Sequence, residues 1–167
     1  MHREIDQLLL AGVLFVMLVL ANGMPVVAAR LLKRRWRTPV DGGRLWSDGR
    51  PVLGPSKTWR GLTIGALSCA LFSAAIGLGL VFGVLFGVLA LWGDLLSSFY
   101  KRRLGMPSSA RAVGLDQVPE SALPMVLAVF WLPISWWGAA LVVVLFTLAN
   151  ILVSPLLFRL GIRRHPH

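Results

Sequence analysis

A chain of 167 residues that is 56% hydrophobic and only 14% charged, with a mean hydropathy of +0.73, is too apolar for a soluble domain of its size. Its net charge of +10 rests on 17 Lys and Arg against 7 acids, so the cations must be concentrated between apolar runs. Beside a membrane such a charge points to anionic headgroups or a polyphosphate substrate, and no nucleic acid is expected as a partner.

The apolar runs predict an all-α integral membrane protein: one catalytic domain of five transmembrane helices, at about 8–29, 61–79, 82–99, 121–135 and 139–160. Two long basic cytoplasmic loops, 30–60 and 100–120, separate them. The first run is longer than a signal-peptide core and lacks a small-residue cleavage site, so it reads as a retained span. It closes with Ala21-Asn22-Gly23-Met24-Pro25, where glycine and proline are expected to loosen the helix. Asn22 suits a hydrogen bond between helices, with direct substrate contact as the alternative.

The loop 30–60 holds nine Lys or Arg against Asp41 and Asp48, together with turn signals at Pro39, Asp41-Gly42-Gly43, Asp48-Gly49 and Gly54-Pro55. An ordered loop is expected, opened by a basic segment, Arg30 to Trp36, that reads as a headgroup anchor. The run 61–99 is too long for one span and should turn near Gly77, Gly79 or Gly83. Gly61 with Gly65, and Gly83 with Gly87, have the spacing that lets helices pack closely. Ser135 to Gly138 make the last turn, beside an aromatic belt of Trp131, Trp136 and Trp137. Of the 17 Lys and Arg, only Arg3 lies outside the two loops and the C-terminal tail. This places the N-terminus outside and the C-terminus in the cytoplasm, as an odd number of spans requires.

Chemistry concentrates in 93–120. On a helix Asp94, Ser97, Ser98 and Lys101 fall at i, i+3, i+4 and i+7, a polar face expected to rise out of the bilayer. A carboxylate within a span costs about 2.5 to 3.5 kcal/mol on insertion scales, so Asp94 needs a partner or a task. The partner would be Lys101 or an arginine; the task would be Mg²⁺ coordination with Asp116, since Mg²⁺ favours one or two carboxylates plus phosphate oxygens. The run Gly49 to Thr58 nearly spells a phosphate-binding Walker loop. Pro55 and Ser56 intrude before Lys57, however, and no strand precedes it, so that assignment is rejected. What remains is a turn, the hydroxyls of Ser56 and Thr58, Lys57, and a helix N-terminus expected to offer its N–H groups to an anion.

Pro39-Val-Asp41-Gly-Gly-Arg44, Asp48-Gly49-Arg50 and Leu53-Gly54-Pro-Ser-Lys57-Thr58-Trp59-Arg60-Gly61 together resemble the first cytoplasmic loop of archaeal CDP-archaeol synthases. Gly93-Asp94, Ser98-Phe99, Lys101-Arg102-Arg103 and Leu115-Asp116-Gln117 resemble their second, and Ala21-Asn22-Gly23 the end of their first span. The resemblance implies Mg²⁺-dependent transfer of CMP from CTP to a prenylated glycerol 1-phosphate lipid, 2,3-bis-O-geranylgeranyl-sn-glycerol 1-phosphate, with release of pyrophosphate. On that reading Asp94 and Asp116 hold the metal, and Lys57 and Lys101 neutralise phosphate oxygens. Gly54, Pro55, Ser56, Thr58 and Arg60 complete the nucleotide site, and Arg102, Arg103 and Arg111 hold the lipid phosphate or the leaving pyrophosphate. A CDP-alcohol phosphotransferase would need an Asp-Gly-x-x-Ala-Arg helix that is absent here. The alternative is a small membrane transporter or a lipid-binding scaffold without catalysis; substrate transport would call for polar groups or broken helices at mid-membrane, whereas the acids here gather at one surface.

Overall fold

The computed structural model describes residues 2–159 except Ser109 and Arg111. Five helices follow one another: α1 (His2–Leu31), α2 (Trp59–Ala75), α3 (Leu80–Arg103), α4 (Gln117–Trp131) and α5 (Trp136–Arg159). Each packs on the next, α5 returns to α1, and α1 also touches α3, so the bundle closes. Leu14, Met17 and Leu18 of α1, Phe82 and Phe86 of α3, Met125 of α4 and Phe146 of α5 fill its centre.

The outside of the bundle is apolar too. Leu9 on α1, Leu71 on α2, Val81 on α3, Phe130 on α4 and Leu148 on α5 are all exposed. Water would penalise such a surface, whereas hydrocarbon accepts it. Two helical stretches, Asp6–Leu31 and Leu80–Arg103, are long and apolar enough to cross a membrane. With 17 and 15 residues, α2 and α4 reach about 25 and 22 Å at 1.5 Å per residue, less than a hydrocarbon core of about 30 Å.

Where the expected boundaries differ, α1 and α3 run on, whereas α2 and α4 start earlier and stop short, at Ala75 and Trp131 in place of 79 and 135. Pro25 lies inside α1, which continues to Leu31 without breaking, and α3 carries Lys101, Arg102 and Arg103 as its last turn. Those cations therefore sit on a helix and not in the following loop, at the end where the helix dipole favours positive charge. The α2–α3 turn falls at Gly77 and Gly79, whose φ of +82° and +90° suit glycine alone. Gly83 serves packing instead: a Cβ there would stand 2.5 Å from the Cys69 carbonyl oxygen of α2.

The first loop is ordered, as its turn signals indicate. Thr38 and Pro39 pair with Thr58 and Trp59, and a small hairpin joins Arg44–Trp46 to Arg50–Val52. Asp41 ties it together by accepting from the N–H groups of Leu53 and Gly54 at 2.9 Å and of Gly43 at 3.0 Å. Burial alone would raise the Asp41 pKa, but these N–H groups outweigh it and hold the carboxyl below its ordinary 3.8. The folded loop thus favours the carboxylate over the acid, and that contribution is full at neutral pH and fades as pH falls through the lowered pKa. Asp41→Asn should accordingly lower the thermal unfolding temperature of the purified protein at pH 7, with the difference from wild type shrinking below pH 3.8.

Candidate active site

The C-terminal half of α3 organises the site. Asp94, Ser97, Ser98 and Lys101 share a face as their spacing requires, but that face turns into the protein: Ser97, Ser98 and Lys101 are buried. Both loops fold onto it. Ser97 Oγ lies 2.9 Å from the Gly93 carbonyl of its own helix and 2.6 Å from the Leu115 carbonyl of the second loop. Beside Asp94, Gly93 lets α4 approach so closely that any Cβ would overlap the Pro119 carbonyl.

Asp94 pairs with Lys57, not with Lys101 or an arginine. Lys57 Nζ reaches both carboxylate oxygens, at 2.7 and 2.6 Å. Lys101 Nζ instead lies 2.5 Å from Asp116 Oδ1 and donates to the Ala110 carbonyl at 3.0 Å. The other Asp116 oxygen accepts from the Ala112 N–H at 2.8 Å. Each pair therefore joins α3 to a different loop. Side-chain exposures of 21% and 26% for Lys57 and Asp94, and of 9% and 20% for Lys101 and Asp116, place both pairs part way out of water, where charges interact more strongly than at the surface.

All four residues line one cavity of about 1610 Å³. Arg102 lines it too; this guanidinium is buried, and its Nε has no hydrogen-bond partner among the described residues. Pro55, Ser56, Thr58 and Arg60 also reach the wall. Ser56 Oγ stands 3.5 Å from Ser108 Oγ of the second loop, so the two loops meet there as well.

Several expected ligands have other work. Thr58 caps α2 by accepting from the Gly61 N–H at 3.3 Å, and the Trp59 N–H donates to the Thr38 carbonyl at 3.1 Å. Two N–H groups of that helix start are thus spent inside the protein, and the terminus is less of an anion cradle than the sequence suggests. Gly54 is not among the cavity residues; its N–H holds Asp41, and its φ of +96° makes the turn before Lys57. Arg60 donates to the Lys33 and Arg35 carbonyls at 3.2 and 2.7 Å. Arg103 also turns away from the cavity: it pairs with Asp48 at 2.6 Å, donates to the Pro51 carbonyl at 2.5 Å and stacks over Phe99 and Trp46. It straps the first loop to the end of α3. Arg111 lies outside the described residues.

Other cavity residues escaped the sequence reading. The basic segment Arg30 to Trp36, which reads as a headgroup anchor, brings Lys33, Arg34 and Arg35 to the wall, and Arg37 follows them. Gln117 and Glu120 come from α4 and Asn150 from α5. Glu120 follows Asp116 by four residues, a spacing that could have placed it on the same face. Asn22 lines the cavity, but its amide donates to the Leu18 carbonyl of its own helix at 3.1 Å, not to a neighbouring helix.

For a metal, no group of three or more His, Cys, Asp or Glu assembles among the described residues. Two carboxylates facing one cavity nonetheless suit Mg²⁺, which takes one or two carboxylates and completes its shell with phosphate oxygens and water.

A family model described as CarS-like, CDP-archaeol synthase, matches residues 5–167. The chain belongs to this family. Its curated CDP-archaeol synthase relatives include those of Pyrobaculum arsenaticum, 37% identical over 134 residues that cover 74% of this chain and 77% of that protein, and of Thermococcus onnurineus, 44% identical over 91 residues that cover 48% and 54%. Alignments with three such relatives span only 54%, 59% and 60% of the relatives' own length. A solved structure described as "an intramembrane enzyme for archaeal membrane lipids biosynthesis" superimposes with a TM-score of 0.69 and 29% identity, covering 85% of this chain and 90% of that one. CDP-archaeol synthase membership and this intramembrane neighbour agree with the apolar exterior, and the chain is a membrane protein.

If the two lysine–aspartate pairs hold the loops, Lys57→Met and Asp94→Leu should each destabilise the protein, while the double variant should lose less than the sum of the two. A double-mutant cycle on thermal unfolding should give a coupling of about 1 kcal/mol, and none would mean that the pair does not hold the first loop to α3.

Proposed function

We propose that the chain is a cytidylyltransferase that moves CMP from CTP to 2,3-bis-O-geranylgeranyl-sn-glycerol 1-phosphate, giving the CDP-activated lipid and pyrophosphate. The observation that carries this reading is the convergence of Lys57–Asp94 and Lys101–Asp116 in one cavity at the end of an apolar helix long enough to cross a membrane. Such a site suits the meeting of a water-soluble polyanion with a phosphate whose hydrocarbon stays in the bilayer.

In the reaction an oxygen of the lipid phosphate forms a bond to the α-phosphorus of CTP. The bond from that phosphorus to the bridging oxygen breaks, and its electron pair leaves on pyrophosphate. The attacking phosphate is already deprotonated at neutral pH, so no general base is needed. Positioning and charge neutralisation then carry the catalysis. Asp94 and Asp116 would hold Mg²⁺, which when bound supplies positive charge to the triphosphate oxygens. Lys57 and Lys101, each already beside a carboxylate, are placed to turn from it to a phosphate oxygen as substrate arrives. Arg102, a buried arginine on the cavity wall, would take the lipid phosphate. Ser56 and Thr58 would contact the nucleotide at the rim, with the Thr58 hydroxyl also capping α2. Arg103 acts at one remove by fixing the two loops together.

The same reading has five membrane spans, both loops and the C-terminus in the cytoplasm, and the N-terminus outside. It is supported by the clustering of Lys and Arg in the loops and tail, and by the solubility of CTP on that side. The short α2 and α4 would reach across where the bilayer thins or the bundle surrounds them.

Purified protein supplied with Mg²⁺, the prenylated glycerol phosphate and each nucleoside triphosphate in turn should release pyrophosphate only when lipid and CTP are both present, and EDTA should stop it. Asp94→Asn and Asp116→Asn should each lower kcat by about 100-fold or more. Full activity of Asp94→Asn at low Mg²⁺ would remove the metal assignment.

A further inference from the structure

We propose that the turn after α1 is a second phosphate-binding wall of the cavity, suited to the polyphosphate end of the nucleotide and to the pyrophosphate that leaves. The cavity is lined by nine cationic side chains against three carboxylates among the described residues. Two of those cations, Lys57 and Lys101, are already matched by Asp94 and Asp116. The other seven cations face one further carboxylate, Glu120; they are Arg30, Arg60, Arg102 deep in the site, and the four of the turn, Lys33, Arg34, Arg35 and Arg37, which is where most of the surplus lies. Fully ionised, CTP and a lipid phosphate together bring several negative charges, more than the balanced pairs could offset.

The turn is built and not merely a run of cations. Lys33 and Trp36 both take the left-handed conformation, with φ of +46° and +57°, which non-glycine residues rarely adopt without external support. That support comes from Arg60 of α2, a buried side chain that donates to the Lys33 and Arg35 carbonyls and is itself part of the cavity wall. Arg60 thereby fixes the backbone from which the cations project, and it acts as a positioning residue. A headgroup collar would need only the charges, whereas a phosphate site needs them in place.

The inference rests on the cytidylyltransferase reading for its natural ligand, but a binding measurement on the full chain tests it without turnover. Inorganic pyrophosphate with Mg²⁺ is titrated calorimetrically into the purified protein in nanodiscs of zwitterionic lipid. Arg34→Gln/Arg37→Gln, two exposed positions, should bind it about tenfold or more weakly than wild type with the fold intact. Arg60→Leu removes none of the turn's own charges and should also weaken binding, while the KM for the lipid substrate changes little. If Arg60→Leu does not fold, the double variant decides alone. Unchanged affinity in the double variant, or no pyrophosphate binding by wild type, would overturn the proposal. If the variant kept its pyrophosphate affinity but lost a stabilisation that wild type gains in anionic nanodiscs, the turn would be a headgroup anchor instead. Turn-dependent binding in a protein inactive with CTP would keep the phosphate wall and sink the cytidylyltransferase reading.

Discussion

A carboxylate set in the apolar third helix has to be neutralised, and the arrangement of both loops follows from how this is done. Asp94 draws Lys57 out of the first loop, while about two helical turns further on Lys101 draws Asp116 out of the second. Each loop is thus pinned to the same helix through a charge. Lys57, Asp94 and Asp116 keep part of their side chains exposed and only Lys101 is buried, which moderates the desolvation penalty, and both pairs line the cavity within reach of a ligand.

Much of this was legible in the sequence, because helical periodicity and turn chemistry are local. A turn near Gly77, Gly79 or Gly83 and the order of the first loop follow from turn residues, and the shared face of Asp94, Ser97, Ser98 and Lys101 follows from spacing. The family resemblance supplied which residues to watch. What spacing could not supply was the partner across the fold. Lys101 lies seven residues from Asp94 on a common face, yet Asp116 reaches it first through the loop, and Lys57 arrives from 37 residues away.

The same limit explains the arginines. Lys101, Arg102 and Arg103 are consecutive, but a helix sends consecutive side chains about 100° apart. Arg102 points to the cavity, and Arg103 turns toward Asp48 and the aromatic pair Trp46 and Phe99. Arg60, which the motif places beside Lys57 and Thr58, serves the chain's own carbonyls instead. Cations in a basic motif thus divide between ligand and scaffold, and composition does not sort them.

The contact at Gly93 has a bearing on how such a site can change over time. Because α3 and α4 meet there through backbone atoms, the separation of Asp94 from the start of α4, next to Asp116, is set by main chain and not by the packing of replaceable side chains. Residues elsewhere along the cavity, and the apolar exterior with them, are free to drift toward other lipid chains or membrane thicknesses while the spacing of the two carboxylates stays fixed. A lineage could therefore retune what it holds in the bilayer without rebuilding the centre where phosphates would meet.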